Sequence, residues 1–207
     1  NAHLHVLEAY TLLYQCWKDN GLKKRLEFCV DLFMNRIYDP SRRHFNLFFD
    51  NEWNSLVEMD SYGHDVETGW LLCEAARTLE NQDLIEQTNQ LALDVTEACL
   101  AEGMSDKGYM IYEKKGDRKT KHASWWGQIE TVIACVNAWQ ISGSDVYLQS
   151  VDTVWTFVKD HMIDKEYGEW YSDCFDGEPK KEAPKVSMWR CPYHTVRLGV
   201  EIYNRLK

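Results

Sequence analysis

Two residue pairs in this chain have spacings suited to proton chemistry. His64 and Glu67 stand three residues apart, and Trp126 and Glu130 four apart, so each pair shares one face of an α-helix. Imidazoles titrate near neutral pH and serve as proton acceptor or donor. A neighbouring carboxylate fixes the tautomer and orientation of such a ring, and an indole offers a flat surface to the apolar face of a pyranose. Helix N-termini add positive potential that favours an anionic intermediate. Together these groups suit removal of a proton next to a carbonyl, a reaction that needs neither metal nor nucleotide.

The elements that must position these residues follow from helical periodicity. The pattern predicts helix pairs over about 2–19 and 22–38, 64–79 and 83–100, and 124–141 and 145–162, with a last helix from near Pro192 to the end. Asn20 with Gly21, Glu80 to Gln82, and Ser142 to Ser144 supply the breaks inside the pairs. Glu8, Glu67 and Glu130 recur 59 and 63 residues apart near the leading-helix starts, and a further interval of that size lands at Tyr193 and His194. Aromatic stretches at Phe45–Phe49, Gly108–Tyr112 and Gly168–Tyr171 predict short hairpins or extended loops between the pairs. Connections this long are usually functional or disordered, and these are aromatic. They feed the leading helices, so loops and helix starts are expected on one face. That face gathers Asn1, His3 and His5; His64, Asp65, Glu67 and Trp70; Trp125, Trp126 and Glu130; and Trp189, Tyr193, His194 and Arg197.

Each of these residues also has a plainer role. A single histidine at a helix start is more often a cap or a packing group, and His3, facing away from His5, fits a structural or supporting place. Glu8, Glu67 and Glu130 would serve helix N-termini alone. Trp17, Trp139 and Trp155 are expected in the core, and His44, His122 and His161 as exposed or packing residues. The convergence of four units on one equivalent position weighs against coincidence.

Composition narrows the classes further. The net charge is −10 and no Lys/Arg stripe runs along the chain, so nucleic acid is not an expected partner. Lys114, Lys115, Arg118, Lys119 and Lys121 surround Gly116 and Asp117 and predict a solvated loop tip. No apolar run approaches the ~20 residues of a membrane span. Seven cysteines lack metal-ligand spacing, and five lie in apolar helical segments. That usage, with no leader-like opening, leads us to expect a reducing cytoplasm. The start at Asn1, already helical, leads us to expect a cut within a longer chain.

Four motifs resemble those of the N-acylglucosamine 2-epimerase and cellobiose 2-epimerase superfamily. They are Asn1-Ala2-His3-Leu4-His5-Val6-Leu7-Glu8, Tyr62-Gly63-His64-Asp65-Val66-Glu67-Thr68-Gly69-Trp70, Trp125-Trp126-Gly127-Gln128-Ile129-Glu130 and Trp189-Arg190-Cys191-Pro192-Tyr193-His194; the stretch Phe48 to Asn54 fits as well. The Gly-His-Asp and Cys-Pro-Tyr-His variants look most like the cellobiose 2-epimerase branch. The resemblance implies an all-α fold of (α/α)6-toroid type, here an incomplete toroid of about seven helices with short β-hairpins in its long loops. Residues 1–207 would be the carboxyl-terminal part of a single such domain. It further implies cofactor-independent epimerisation at C2 of a reducing-end sugar, as in cellobiose-type β-1,4-linked disaccharides, through a cis-enediol.

Carried over by motif, His64 and His194 form the acid–base pair and His5 assists at the carbonyl oxygen or in ring opening. Glu67 and Glu130 orient groups and bind hydroxyls, while Asn1, Trp70, Trp126 and Trp189 line the sugar subsites. No metal or other cofactor is implied. Because family members are about twice this length, the early helix pairs and a sugar-holding arginine are missing here. A separate amino-terminal fragment or a second copy is therefore expected to complete the ring. The alternatives are an N-acylglucosamine 2-epimerase or mannose-type isomerase, a glycoside hydrolase on the same toroid with Glu67 and Glu130 as its carboxylate pair, and an inactive sugar-binding fragment.

Overall fold

Helix starts in this chain are set by short polar side chains that satisfy otherwise unpaired backbone N–H groups. Asp19 accepts from Leu22 N–H, Asn81 from Leu84 N–H and Ser124 from Gly127 N–H. Two leading helices end where the backbone turns left-handed, at Glu80 and at Gly143. The computed structural model describes all 207 residues, with helices α1 (Ala2–Cys16), α2 (Asn20–Leu32), α3 (Tyr62–Leu79), α4 (Gln82–Gly103), α5 (Trp125–Ser142), α6 (Val146–Phe157) and α7 (Tyr193–Arg205). Both α2 and α6 run on into a five-residue π-helical turn, Phe33–Ile37 and Val158–Met162.

The helices form two rows. Leading helices α1, α3, α5 and α7 pack side by side in chain order, and α2, α4 and α6 each pack back on the leading helix before them. Since α3 and α5 have neighbours on every side, they are buried around almost their whole circumference. One apolar cluster runs through the rows, from Leu4, Leu7 and Leu26 through Val66, Leu72 and Val95 to Ile129, Ile133 and Val154. The two ends of the inner row differ. α7 buries only Arg197 and Leu198, leaving Val196, Val200 and Tyr203 exposed, and α1 exposes Leu12 and Leu13. An apolar trough of about 630 Å³ opens beside α7, walled by Val136, Val151, Trp155, Leu198, Ile202 and Leu206. No helix is long and apolar enough to cross a membrane.

Strands occur only in the connections. β1 (Tyr38–Asp39) pairs with β2 (His44–Phe45). β3 (Met59–Asp60), β4 (Glu113–Lys115) and β5 (Arg118–Thr120) form one antiparallel sheet, and β6 (His122–Ser124), β7 (Asp173–Phe175) and β8 (Glu178–Pro179) another. Register sets Asp60 opposite Lys114 and Ala123 opposite Cys174, so each three-stranded sheet joins two successive long connections.

Several expectations change here. The hairpins lie beside the aromatic stretches at 108–112 and 168–171, which contribute isolated bridges at Met110 and Trp170 instead. The lysine-rich stretch is the β4–β5 hairpin; its Lys115, Arg118 and Lys119 are exposed, while Lys114 reaches Glu102. Trp17 is 58% exposed rather than core, because α1 ends at Cys16 and Trp17 is its extended cap. His44 is deeply buried, its Nδ1 2.7 Å from Asp65 Oδ2, while Phe45 N–H donates to the other oxygen of the same carboxylate. Asp65 thereby ties the β1–β2 hairpin to the first turn of α3.

Candidate active site

The leading helices run parallel, so their first turns meet at one end of the inner row. Trp126 from α5 lies between two histidines, its ring 4.6 Å from that of His64 on α3 and 5.8 Å from that of His194 on α7. The close approach of α3 to α5 depends on Gly63, where an added Cβ would come within 2.5 Å of the Trp126 ring. His64 Nδ1 is 2.7 Å from Ser61 Oγ. Burial holds the His64 imidazole down to about 4, and the nearby imidazoles of His5 and His194 push the same way. His64 is therefore neutral at physiological pH and able to accept a proton.

His194 is held differently. Its Nδ1 lies 2.7 Å from Glu130 Oε1; donation from Nδ1–H to the carboxylate leaves Nε2 free to take or give a proton. The other oxygen of Glu130 accepts from the Trp70 indole N–H at 2.9 Å. Burial and the charge of Glu130, opposed by Arg197, push Glu67 up to about 7. Arg197, one turn beyond His194, donates to Glu67 at 2.6 Å and to Glu130 at 3.0 Å through one nitrogen and to Glu8 through another. Its guanidinium also lies over the rings of Tyr193, at 4.2 Å, and Trp70, at 5.3 Å. A carboxylate oxygen of Glu67, one of Glu130 and a ring nitrogen of His194 sit within 4.8 Å of one another, and Arg197 supplies the cation that the two carboxylates share.

His5 sits at the rim, 3.3 Å from Glu8, with its ring 6.2 Å from Tyr193; its hydrogen bond to the Glu8 carboxylate raises its pKa against the opposing effect of burial. Asn1, His3, Phe49, His64 and Thr68 border a narrow recess of about 40 Å³, and His3 packs toward Trp53, away from His5. Below the histidines a hollow of about 670 Å³ starts at Glu8, Trp70 and Arg197 and runs toward the far ends of the leading helices. Thus His5, His64, Glu67, Trp70, Trp126, Glu130 and His194 are brought together, with Asn1 at the edge. Trp189 is not among them: it is 84% exposed in the turn before α7. Sequence reasoning gave no role to Arg197, Tyr193 or Ser61. The signal for Arg197 lay in the spacing: His5 to Glu8, His64 to Glu67 and His194 to Arg197 are each three residues.

Helix pairs in an arc, with imidazoles and carboxylates gathered at one end of the inner row, define a segment of an α/α toroid. The family model for N-acylglucosamine 2-epimerase (GlcNAc 2-epimerase) matches residues 1–197, and the chain belongs to that family. It is 40% identical to the cellobiose 2-epimerase of Bacteroides fragilis over 98% of its length and 36% identical to that of Dictyoglomus turgidum over all of it. It spans about half the length of these curated relatives, 52% and 53%. Among solved structures, the cellobiose 2-epimerase of Bacillus thermoamylovorans superposes with a TM-score of 0.94 at 35% identity, covering 98% of this chain and 52% of that one. A sugar epimerase from a ruminal bacterium gives 0.95 at 34%, with 99% and 53% covered. A GH76 α-mannanase, 15% identical with a TM-score of 0.71, shares the fold alone.

Proposed function

We propose that this chain is the proton-relay half of a carbohydrate 2-epimerase that inverts C2 at the reducing end of a cellobiose-type β-1,4-linked disaccharide. The observation that carries the proposal is the placing of His64 and His194 around Trp126, one imidazole neutral by burial and the other braced by Glu130. With the ring open, one imidazole Nε2 takes the C2 proton, and the C–H electron pair forms the C1–C2 double bond. The carbonyl π electrons pass to O1, which gains a proton, giving the cis-enediol. After the intermediate turns about C2–C3, the other imidazole, in its protonated form, delivers a proton to C2 from the opposite face, the C1–C2 π electrons forming that bond while O1 gives up its proton and the O1–H electron pair rebuilds the C1 carbonyl. His5 is the group nearest the rim for the O1 proton, and Asn1, Glu67, Trp70, Trp126 and Glu130 are the groups that hold the sugar.

The same proposal includes a partner. The chain covers about half of its relatives' length and leaves apolar side chains of α1 and α7 exposed: Leu12, Val196 and Val200 along the hollow between them, and Tyr203 and Leu206 along the trough beside α7. Soluble surfaces rarely keep such extended apolar areas bare. An amino-terminal half with the same paired-helix architecture is the occupant that fits both ends of the row.

Deuterium incorporation at C2 of cellobiose in heavy water, without cleavage, tests the reaction. Exchange is expected when the chain is combined with an amino-terminal half from a relative, and little from the chain alone. Complete absence of exchange in the combined sample, or wild-type exchange in both His64→Ala and His194→Ala, would refute it. Parallel incubation with N-acetylglucosamine and mannose decides the substrate. Inverting glycoside hydrolysis is less well supported, because Glu67 and Glu130 share Arg197 and lie closer than the ~6.5–9.5 Å that an inverting pair needs.

A further inference from the structure

The helical repeat breaks its own symmetry at one position. His5, His64 and His194 are each followed three residues later by a charged side chain: Glu8, Glu67 and Arg197. Glu130 occupies the same place in the α5 unit. In the folded chain these four equivalent residues meet, and Arg197, the only cation among them, donates to the glutamates of α1, α3 and α5.

We propose that Arg197 is a positioning residue, one cation that gathers the three repeat-equivalent glutamates and so holds the Glu130–His194 pair in the arrangement the proton relay uses. This rests on the epimerase proposal for its functional meaning, but not for its geometry. Arg197 is buried, both of its terminal nitrogens donate to carboxylates, and its guanidinium lies over the rings of Trp70 and Tyr193. Its hydrogen bonds go to carboxylates and none to an imidazole, so it acts through the residues it holds. A lysine would not replace it, because a compact ammonium lacks the planar fork that reaches three acceptors from fixed directions. The charged and titratable groups around it are Glu8, His5 and Tyr193 at the rim, Glu67 from α3, Glu130 from α5, and His194 and Glu201 on its own helix.

The test needs no sugar. Carbon-13 NMR of labelled glutamate carboxyls follows Glu67 in the wild-type chain, Arg197→Gln and Arg197→Lys, while nitrogen-15 spectra report the His194 ring. Removing the cation leaves two buried carboxylates side by side, so the Glu67 midpoint in Arg197→Gln is expected to rise by roughly one pH unit or more. The His194 ring signals are expected to change with it. An unchanged Glu67 curve with unchanged His194 signals, in a variant that keeps its helical dichroism, overturns the proposal. Should Arg197→Gln lose its helical dichroism, Arg197→Lys decides, with an expected rise of about half a unit or more and the same overturning result. Failure of C2 exchange would sink the epimerase proposal and leave this titration result standing.

Discussion

At the scale of single residues, Glu130 is the most heavily engaged group in the site. Its two oxygens serve His194, Arg197 and the Trp70 indole at once. Glu130→Gln keeps the shape but removes the charge that fixes the His194 tautomer. It is expected to lower the C2 exchange rate about 100-fold or more, read as deuterium incorporation in the combined halves; a drop under tenfold would show that His194 does not depend on this carboxylate. His64 makes a pH prediction whose sign is fixed. Its folded pKa, about 4, lies below the ordinary ~6.5 of an exposed imidazole. Its contribution to stability is complete above ~6.5 and is lost as pH falls toward 4, a difference of at most about 3 kcal/mol. His64→Asn should therefore flatten the acid side of the stability profile, measured as urea midpoints at several pH values. Glu67, raised to about 7, acts with the opposite sign: its contribution is complete below ~4.5 and lost as pH rises through 7.

At the scale of elements, the contact between α3 and α5 sets the distance between the histidines. Because a Cβ on residue 63 would collide with the Trp126 ring, Gly63→Ala is expected to push the helices apart, costing about 1–3 kcal/mol and slowing C2 exchange more than it raises KM. Thermal unfolding and exchange kinetics together check this, and an unperturbed variant would mean that Trp126 is free to move. The helix pairs were legible in the sequence because apolar period and cap residues are local signals. The strands were not, since β3 finds β4 and β6 finds β7 across some fifty residues, and two- or three-residue strands carry no pattern of their own. Which of its two expected places His44 takes, exposed or packing, was not legible for the same reason: its burial is made acceptable by Asp65, a partner in another element. Trp17 failed by a single residue, lying just past the end of α1 instead of inside it. The site histidines and glutamates were legible through the repeat, whereas the role of Arg197 depends on three units meeting in space.

At the scale of the whole molecule, the inner row is finished on its faces and unfinished at its ends. Size-exclusion chromatography with mass measurement is expected to show the 24.4 kDa chain binding an added amino-terminal half at one-to-one ratio. Leu12→Glu with Val200→Glu should abolish that complex while leaving helix content intact. A monodisperse, fully active monomer would contradict the proposed partner, and a stable homodimer would assign the flanks to a second copy.

The π-helical turns closing α2 and α6 have a consequence for chain length. Each holds one more residue per turn than an α-helix would, and each hands the chain directly to an extended residue, Tyr38 or Ile163. Deleting one residue from 158–162 would let the coil tighten to regular pitch with the downstream bearing almost kept, since five residues of the wide coil turn about as far as four of an α-helix. Met162, now fully buried, would keep its direction, and the sheet partner of β6 would leave as before. Loss of one residue should therefore be tolerated at the last coil of each outer helix, whereas loss of a second there would turn the rest of the chain by about 100°.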